Sequence, residues 1–248
     1  MINLIHGDCL DVMRGMPSGS VDLVFTSPPY NLGNSTGAGV KGNAASNSTL
    51  WTSSKLGAGY DDYGDDLPWH EYVAWQKDVL AECWRLLSDE GAIFYNHRPR
   101  VQDGMLRTAF DLNPGLPVRQ VIIWDRKGWG INFTTMNYLP TVEWVVVFAK
   151  LAFRLKDQGA SAVSDIWRIT PDQKNPHPAP FPLGLPLRAI VSTTARHVLD
   201  PFMGSGTTGR AAVMEGRDFT GIDRVAAYVE MARQNIATSE QQPMLFTA

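Results

Sequence analysis

The chain has 248 residues, of which 44% are hydrophobic and 19% are charged. This length and composition predict one globular domain and exclude fibrous and wholly disordered proteins. The formal net charge of −3 excludes a generally basic protein that holds a polyanion by bulk electrostatics. Two cysteines are too few for a disulfide framework or a zinc site, and no apolar run is long enough for a membrane helix. We therefore expect a single domain over residues 1–248 in the cytoplasm, without a metal and without a membrane partner.

Positive charge is concentrated in the middle of the chain. Residues 95–175 contain 11 Lys and Arg against 7 Asp and Glu, whereas the rest of the chain contains 11 against 18. This asymmetry is typical of a protein with one face directed towards a polyanion.

Short apolar runs alternate with longer amphipathic segments along the chain. This alternation predicts an α/β protein in which a mostly parallel sheet carries helices on both faces. Seven strands are predicted, at residues 2–5, 21–25, 92–95, 118–124, 142–148, 197–199 and 219–222. Five helices are predicted, at residues 9–16, 69–87, 185–194, 207–215 and 225–236.

Two stretches interrupt the alternation. Residues 31–60 contain 18 Gly, Asn, Ser and Thr among 30 residues, which leaves too few large apolar side chains to hold the segment in place. We expect a mobile loop there. Residues 150–184 have no clear period and end in four prolines at alternating positions, which predict an irregular, extended path.

The first candidate site is the turn Thr26-Ser27-Pro28-Pro29-Tyr30, which directly follows the predicted strand 21–25. The prolines have no N–H donors, so the carbonyls of the turn and the Ser27 hydroxyl form an acceptor site. Tyr30 adds an aromatic face close by. Because open α/β sheets bind ligands at the carboxyl ends of their strands, this position favours a functional turn over a structural one.

The second candidate site is a glycine-rich loop between a predicted strand and a predicted helix. Gly204, Gly206 and Gly209 have the G-x-G-x-x-G spacing, and Asp223 ends the next strand, where an acid accepts ribose hydroxyls. This pattern predicts a nucleoside-binding crevice. The loop begins with Asp200, and a carboxylate there repels a pyrophosphate and suits a cationic ligand such as the sulfonium portion of S-adenosylmethionine.

The two sites together resemble the methyltransferases that act on amino groups of nucleic-acid bases. In that family a (Asp/Asn/Ser)-Pro-Pro-(Tyr/Phe) turn binds an exocyclic amine, and a glycine-rich loop binds S-adenosylmethionine. The order found here, with the turn first, is similar to the permuted β arrangement of the DNA N6-adenine and N4-cytosine methyltransferases, and the resemblance covers nearly the whole chain. It implies a circularly permuted, Rossmann-like fold with a seven-stranded sheet, in which strand 2–5 lies beside the C-terminal strands.

The resemblance also implies roles for individual residues. The acid of His6-Gly7-Asp8 meets the cofactor adenine, and the residues expected to bind S-adenosylmethionine are Asp8, Asp200, Pro201, Phe202, Gly204, Ser205, Gly206, Thr207 and Asp223. The catalytic residues are Ser27, Pro28, Pro29 and Tyr30. Ser27 Oγ and the Pro28 carbonyl accept the two N–H bonds of the amine, and Tyr30 stacks on a base flipped out of double-stranded DNA. Whether the base is adenine or cytosine stays open.

DNA contacts are expected from the basic middle of the chain, since a large separate recognition domain is missing. A small recognition portion within about residues 126–174 and the loop 31–60 supply them, and the candidate side chains are Arg98, Arg126, Lys127, Asn132, Arg154 and Arg168. The resemblance further implies a homodimer. It leaves open whether a restriction endonuclease is a partner.

Other functions account for part of the pattern. A methyltransferase that acts on RNA or on a protein glutamine amide also binds a planar amine. A nicotinamide-dependent oxidoreductase uses the glycine spacing but leaves the proline turn unexplained. A DNA-binding module without activity does not explain why Ser27, Tyr30, Asp200 and Asp223 occur together. The site-specific DNA methyltransferase is the leading hypothesis, because the polar loop 31–60 and the basic middle of the chain favour a long duplex as substrate.

Overall fold

The computed structural model describes residues 1–31, 67–102, 104–128, 138–171 and 181–240. The strands in these ranges are β1 (Ile2–His6), β2 (Val21–Thr26), β3 (Leu87–His97), β4 (Arg100–Gln102), β5 (Met105–Arg107), β6 (Val118–Asp125), β7 (Val142–Ala149), β8 (Ile166–Arg168), β9 (His197–Asp200) and β10 (Asp218–Asp223). The helices are α1 (Cys9–Arg14), α2 (Trp69–Leu86), α3 (Gln158–Ser161), α4 (Gly184–Val191), α5 (Thr207–Met214) and α6 (Ala226–Glu240).

Eight of these strands form one sheet, in the order β1, β10, β9, β2, β3, β7, β6 and β8. All of them run in one direction except β7, which is antiparallel to both of its neighbours. The expected α/β fold with a mostly parallel sheet is confirmed, but the expected number of seven strands is wrong. The eighth strand, β8, pairs with β6 and lies in the stretch 150–184 that was expected to be irregular.

A hairpin of β4 and β5 is a second departure from the expected elements. It places Arg100 opposite Arg107. Each of these strands has three residues, as does β8. A run of three residues is too short to show an alternating pattern, which is why all three strands escaped the sequence analysis.

The first strand of the chain lies beside the last one. β1 pairs in parallel with β10, from Ile2 opposite Phe219 to His6 opposite Asp223. The N-terminal strand thus completes the half of the sheet that the C-terminal strands build, which is the arrangement that a circular permutation requires. The expected permuted fold is confirmed.

Both faces of the sheet are covered, as is usual for parallel sheets. One face packs against α4, α5 and α6, with Ala212 of α5 among the buried contacts. The other packs against α1 and α2, with Leu80 of α2 among them. Strand β2 contributes to both layers, since Phe25 faces the first and Val24 faces the second. The apolar residues Leu23-Val24-Phe25 of β2, which are buried on both faces, therefore mark a strand in the interior of the sheet.

Both cysteines are buried and free. Burial raises the pKa of Cys9 to about 12, so its thiol stays protonated and unreactive. Within the described ranges no cluster of His, Cys, Asp and Glu is arranged to hold a metal ion. No helix in the same ranges has the length and apolar character needed to cross a membrane.

Candidate active site

The candidate site lies at the carboxyl edge of the sheet, at the point where the connections from two neighbouring strands run to opposite sides. From β9 the chain passes through α5 to β10 on one side, and from β2 it passes through α2 to β3 on the other. Because β9 and β2 are neighbours, a crevice opens between their ends, which is the usual ligand site of an open α/β sheet. The hydroxyl of Thr26, at the end of β2, donates a hydrogen bond of 2.8 Å to Asp200 Oδ1, at the end of β9. The two motifs found in the sequence meet at this bond.

Asp200 is a fully buried carboxylate that joins the two motifs. Besides the bond from Thr26, it accepts one of 2.6 Å from the Thr208 hydroxyl and one of 3.1 Å from the Phe202 backbone N–H. Burial raises the pKa of Asp200 to about 6, while its hydroxyl donors act in the opposite direction. The expected contact between Asp200 and the cofactor stays a prediction. The bonds present show a carboxylate that fixes the loop against the end of β2.

Asp223 fixes the other side of the glycine-rich loop. Its Oδ2 accepts a bond of 3.0 Å from the Gly204 N–H, and its Oδ1 accepts one of 2.9 Å from the Val225 N–H. Desolvation raises the pKa of this carboxyl. Each carboxylate oxygen has two acceptor positions, so Asp223 retains capacity for further donors such as ribose hydroxyls.

Gly206 is required by the way in which α5 begins. Its φ of 84° lies in the left-handed region, and a Cβ placed on it would lie 2.9 Å from Cα of Ala232 in α6. A side chain here would therefore be strained and would also meet the backbone of another helix. The second glycine of the G-x-G-x-x-G pattern serves the packing of α5 on α6 and keeps the loop close to the end of β9.

The remaining residues expected to bind the cofactor surround this loop. Asp8 follows β1 and caps α1, since its Oδ1 accepts a bond of 2.9 Å from the Leu10 N–H. Phe202 packs edge-on against Trp75 of α2, with ring centroids 5.6 Å apart. Pro201, Ser205 and Thr207 are buried within the loop and the first turn of α5. All of these residues lie at the carboxyl edge, on the β1, β10 and β9 side of the crevice.

The turn after β2 holds Ser27 and Tyr30 in one polar network. The Ser27 hydroxyl lies 2.8 Å from the Tyr30 hydroxyl, and the Tyr30 hydroxyl donates to Glu143 Oε2 at 3.1 Å. Tyr30 is 9% exposed, and its ring centroid lies 4.9 Å from that of His97. Its expected role as the stacking surface for a flipped base stays a prediction, and the structure adds a second role for its hydroxyl.

Two members of this network, Asn96 and Glu143, were missed by the sequence analysis. Asn96 Nδ2 lies 2.8 Å from the Tyr30 hydroxyl, 3.1 Å from Glu143 Oε2 and 3.2 Å from Ser27 Oγ. Glu143 Oε1 forms a salt bridge of 3.3 Å with Arg126 Nη1. The available signal was a polar residue inside each of two apolar strands, since Asn96 follows Phe-Tyr in β3 and Glu143 precedes Trp-Val-Val-Val in β7.

Other contacts fix the backbone of the turn. The Tyr72 hydroxyl donates to the Pro29 carbonyl at 2.9 Å, and Arg100 donates to the Tyr30 carbonyl. The Pro28 carbonyl has no donor among the described residues. His97, next to Tyr72, is 1% exposed, and burial together with the charge of Arg100 lowers its pKa to about 3. His97 is therefore a neutral support of the turn.

The candidate DNA contacts fall into three groups. Four lie at the same edge as the turn, since Arg98 follows β3, Arg126 and Lys127 follow β6, and Arg168 ends β8. Arg168 also forms a salt bridge of 3.5 Å with Asp125. Arg154 instead lines a groove with Asp22 and Arg196, at the amino ends of the strands, so the structure does not bring it to the turn. Asn132 and, apart from Asn31, the loop 31–60 lie outside the described residues.

Comparison with known proteins identifies the family. Residues 21–234 match the model of the DNA methylase family, N6_N4_Mtase. The type II methyltransferase M2.MboI of Moraxella bovis is 26% identical over an alignment 253 positions long, which covers 94% of this chain and 86% of the relative.

Solved structures show the same fold. A protein of Thermus thermophilus described as a DNA modification methylase, in complex with S-adenosyl-L-methionine, is 22% identical, with a TM-score of 0.65 and coverage of 97% of this chain and 96% of the other. The PvuII DNA methyltransferase, described as cytosine-N4-specific, is 20% identical, with a TM-score of 0.70 and coverage of 97% and 91%.

The residues at the crevice fit the cofactor of such enzymes, because the partly satisfied Asp223 carboxylate stands beside a loop whose glycines allow close approach of a ligand. The family match covers most of the chain and includes both motifs. The chain therefore belongs to the DNA methylase family, and it is an S-adenosylmethionine-dependent DNA methyltransferase that modifies the amino group of adenine N6 or cytosine N4.

Proposed function

We propose that the turn formed by Ser27, Pro28, Pro29 and Tyr30 is the catalytic site and that it acts on a base flipped out of double-stranded DNA. One observation carries the proposal. The Ser27 hydroxyl and the Pro28 carbonyl follow each other at the crevice, and the bond from Thr26 to Asp200 ties them to the glycine-rich loop. An acceptor pair and a cofactor loop thus share one cleft, as an amine methyltransferase requires.

The chemistry accounts for the kinds of residue in the turn. An exocyclic amine of a base is a poor nucleophile, because its lone pair is delocalised into the ring. When Ser27 Oγ and the Pro28 carbonyl accept its two N–H bonds, they favour the pyramidal nitrogen whose lone pair can attack. No strong base is needed first, since S-adenosylmethionine, when bound, supplies a methyl group already activated by its sulfonium. Orientation and electrostatics provide most of the rate enhancement.

The cofactor site of this proposal is the β1, β10 and β9 side of the crevice. Asp223 accepts ribose hydroxyls and Asp8 meets the adenine. The loop residues that surround the rest of the cofactor are Pro201, Phe202, Gly204, Ser205, Gly206 and Thr207. Asp200 contributes negative charge from beneath the loop and keeps the loop in register with the turn, which its three bonds support.

The DNA-binding side of this proposal is the β3, β6 and β8 end of the same edge. Arg98, Arg126, Lys127 and Arg168 give it positive charge, which suits the phosphate backbone. We leave Arg154 out of this surface because of its place at the opposite edge. Asn132 and the loop 31–60 remain candidates on sequence grounds alone.

The wider setting is also part of the proposal. The enzyme acts in the cytoplasm as a homodimer, which a solution mass measurement tests. A restriction endonuclease partner is supported by the likeness to a type II methyltransferase. Nuclease assays on unmethylated and premethylated DNA, with proteins recovered together with the enzyme, test that partner.

The decisive experiment is incubation with S-adenosylmethionine labelled in its methyl group and genomic DNA, followed by digestion to nucleosides and chromatography. We expect label in N6-methyladenine or in N4-methylcytosine, and which of the two is formed identifies the base. Ser27→Ala serves as the control variant and should lose most of the label. Label in RNA or in protein glutamine and none in DNA would overturn the proposed substrate, and full activity of Ser27→Ala would overturn the proposed site.

A further inference from the structure

Glu143 is a buried carboxylate next to the catalytic turn, to which the proposed function gives no role. It is 7% exposed and lies near the start of β7, the one reversed strand of the described sheet. Three elements direct donors at it. Tyr30 comes from the turn after β2, Asn96 from β3, and Arg126 from the end of β6. Its side chain therefore reaches the turn from the opposite side of β3.

The hydrogen atoms of this network can be assigned by counting. An ionised carboxylate paired with Arg126 only accepts hydrogen bonds, so the single hydroxyl hydrogen of Tyr30 points to Glu143 Oε2. The contact of 2.8 Å between Ser27 Oγ and the Tyr30 hydroxyl then needs the hydroxyl hydrogen of Ser27. The Ser27 hydrogen points away from the crevice, and a lone pair of Ser27 Oγ remains for the target amine even when Asn96 occupies the other.

If the hydrogen bonds between Ser27, Tyr30 and Glu143 ran in the opposite direction, the site would be disabled. If Tyr30 donated to Ser27, the two lone pairs of Ser27 Oγ would be taken by Tyr30 and Asn96. The Ser27 hydrogen would then face the N–H bonds of the amine, and two donors that face each other in a buried site are strongly unfavourable. The direction of the hydrogen bond between Ser27 and Tyr30 therefore decides whether Ser27 accepts a hydrogen bond from the amine or donates one to it.

We propose that Glu143 is a positioning residue for methyl transfer, which acts through Tyr30 to hold Ser27 as a hydrogen-bond acceptor. The inference rests on the proposed role of Ser27. Arg126 and Arg98 are the charged groups that face Glu143, from the ends of β6 and β3. Both are cations, and the salt bridge with Arg126 suits a carboxylate that accepts hydrogen bonds from its other neighbours.

Glu143→Gln is the informative substitution, because it keeps the shape and removes one acceptor. Glu143 accepts at both oxygens, from Arg126 at Oε1 and from Tyr30 and Asn96 at Oε2. An amide has one oxygen and one NH₂ group, so it cannot accept on both sides. With its oxygen held by the Arg126 guanidinium, the NH₂ group faces Tyr30 and turns the Tyr30 hydrogen towards Ser27.

The test measures single-turnover methylation of DNA, DNA affinity and S-adenosylmethionine affinity for Glu143→Gln, Ser27→Ala and the double variant. We expect Glu143→Gln to lower the methylation rate about tenfold to a hundredfold, with both affinities within about threefold of the wild type. In the Ser27→Ala background the same substitution should change the rate less than about threefold, since no hydroxyl remains to be oriented.

Glu82→Gln is the matched control. Glu82 also pairs with an arginine, since its Oε2 lies 2.8 Å from Arg85 Nη2, but it lies on α2 away from the turn. Its rate should stay within about twofold of the wild type. If Glu143→Gln does not fold, Tyr30→Phe replaces it, because the ring stays and the link from Ser27 to Glu143 is cut. The same rate loss and the same non-additivity with Ser27→Ala are expected.

The outcomes separate the inference from the proposed function. Full activity of Ser27→Ala contradicts the proposed function itself. If Ser27→Ala is impaired while Glu143→Gln is as active as the wild type, Glu143 has no positioning role. If the rate losses of Glu143→Gln and Ser27→Ala multiply in the double variant, Glu143 acts independently of Ser27 and the inference is wrong.

Discussion

The two sides of the crevice are built in different ways. On the β1, β10 and β9 side, the carboxylates of Asp200 and Asp223 bind backbone N–H groups and hydroxyls of their own loop or of a neighbouring strand end. On the β2, β3 and β7 side, Ser27 and Tyr30 are held by side chains from distant strands. The first side is a local backbone construction, whereas the second is a long-range side-chain network.

The difference suits the two tasks. A cofactor has a fixed shape, and glycines with a rigid backbone hold it at constant geometry. The target amine must be held in one orientation and one protonation state. This depends on where individual hydroxyl hydrogens point, and the charges and acceptors of the neighbouring side chains set those directions. We therefore expect variants of the first side to change stability and cofactor affinity, and variants of the second side to change rate and pH dependence.

The largest effect is expected from Gly206→Ala on the cofactor side. The left-handed φ and the approach of 2.9 Å to the Ala232 backbone together should cost about 3 kcal/mol of unfolding free energy, measured by urea denaturation. Gly216→Ala is the matched control, since Gly216 also has a positive φ of 64° but nothing within 4 Å of its Cβ position. It should cost about 1 kcal/mol. Equal losses in the two variants would mean that the close approach of α5 and α6 does not matter.

The second largest effect is expected from Asp223→Asn, on the affinity for the cofactor. Loss of charge-assisted bonds at one carboxylate costs on the order of 1.5 to 3 kcal/mol, which corresponds to a roughly 10- to 150-fold weaker affinity for S-adenosylmethionine. DNA affinity should change little, because Asp223 lies on the cofactor side. Titration calorimetry and a DNA-binding assay measure the two affinities. An unchanged cofactor affinity would contradict the assignment of this side.

The sequence predicted the two sides unequally, and the reason is their construction. Asp200 and the three glycines of the spacing lie within ten residues of each other, and Asp223 ends the next strand, so one stretch of chain contains most of the cofactor side. Ser27 meets Asn96 across 69 residues, and Tyr30 meets Glu143 across 113. Two strand pairings bring these residues together, since β2 with β3 places Thr26 opposite Tyr95 and β3 with β7 places Asn96 opposite Val145.

Most strands of the sheet were predictable from the sequence, but the edge strand β8 was not. The alternation of apolar runs and helices indicated the mostly parallel sheet, and the family resemblance implied the pairing of β1 with the C-terminal strands. The alternation did not indicate β8, because Ile-Trp-Arg has three residues and Ile166 and Arg168 are both exposed. Edge strands of this kind are set by their neighbours rather than by a pattern of their own.

On the catalytic side, we expect the buried His97 to make the unfolding free energy depend on pH. His97 has a pKa of about 3 in the folded protein because of burial and the charge of Arg100, against 6.5 as its ordinary value. The unfolded chain therefore binds a proton at about pH 5.5 that the folded chain does not, and the wild type loses stability as the pH falls through 6.5. His97→Gln lacks this loss. Between about pH 7.0 and 5.5 the stability advantage of the wild type over the variant should shrink by about 1.3 kcal/mol, as measured by urea denaturation at both values. An unchanged difference would contradict a neutral, buried His97.

The smallest effect is expected at Asp8, where two roles can be separated. Asp8→Ala removes the N-cap of α1 and should cost about 1 kcal/mol of stability, whereas Asp8→Ser keeps a capping oxygen and should cost a few tenths. If the carboxylate meets the cofactor adenine, both variants bind S-adenosylmethionine more weakly to the same extent. If the affinity for S-adenosylmethionine instead falls in Asp8→Ala and stays nearly unchanged in Asp8→Ser, as the stability does, Asp8 acts only as a helix cap.

The pairing of β1 with β10 has a consequence for synthesis. The ribosome makes Ile2–His6 first and Asp218–Asp223 last among the strands of the sheet, and β1 has no other partner in the described sheet. During translation the β1 edge stays open until Asp218–Asp223 has emerged, which makes it a slow, late contact with a large loop to close. The central strands and the proline turn can fold before this, so the cofactor side is the last part of the sheet to form. Asp223 ends β10, so we expect a nascent or truncated chain that lacks β10 not to bind S-adenosylmethionine and the enzyme to become active only when β1 and β10 have paired.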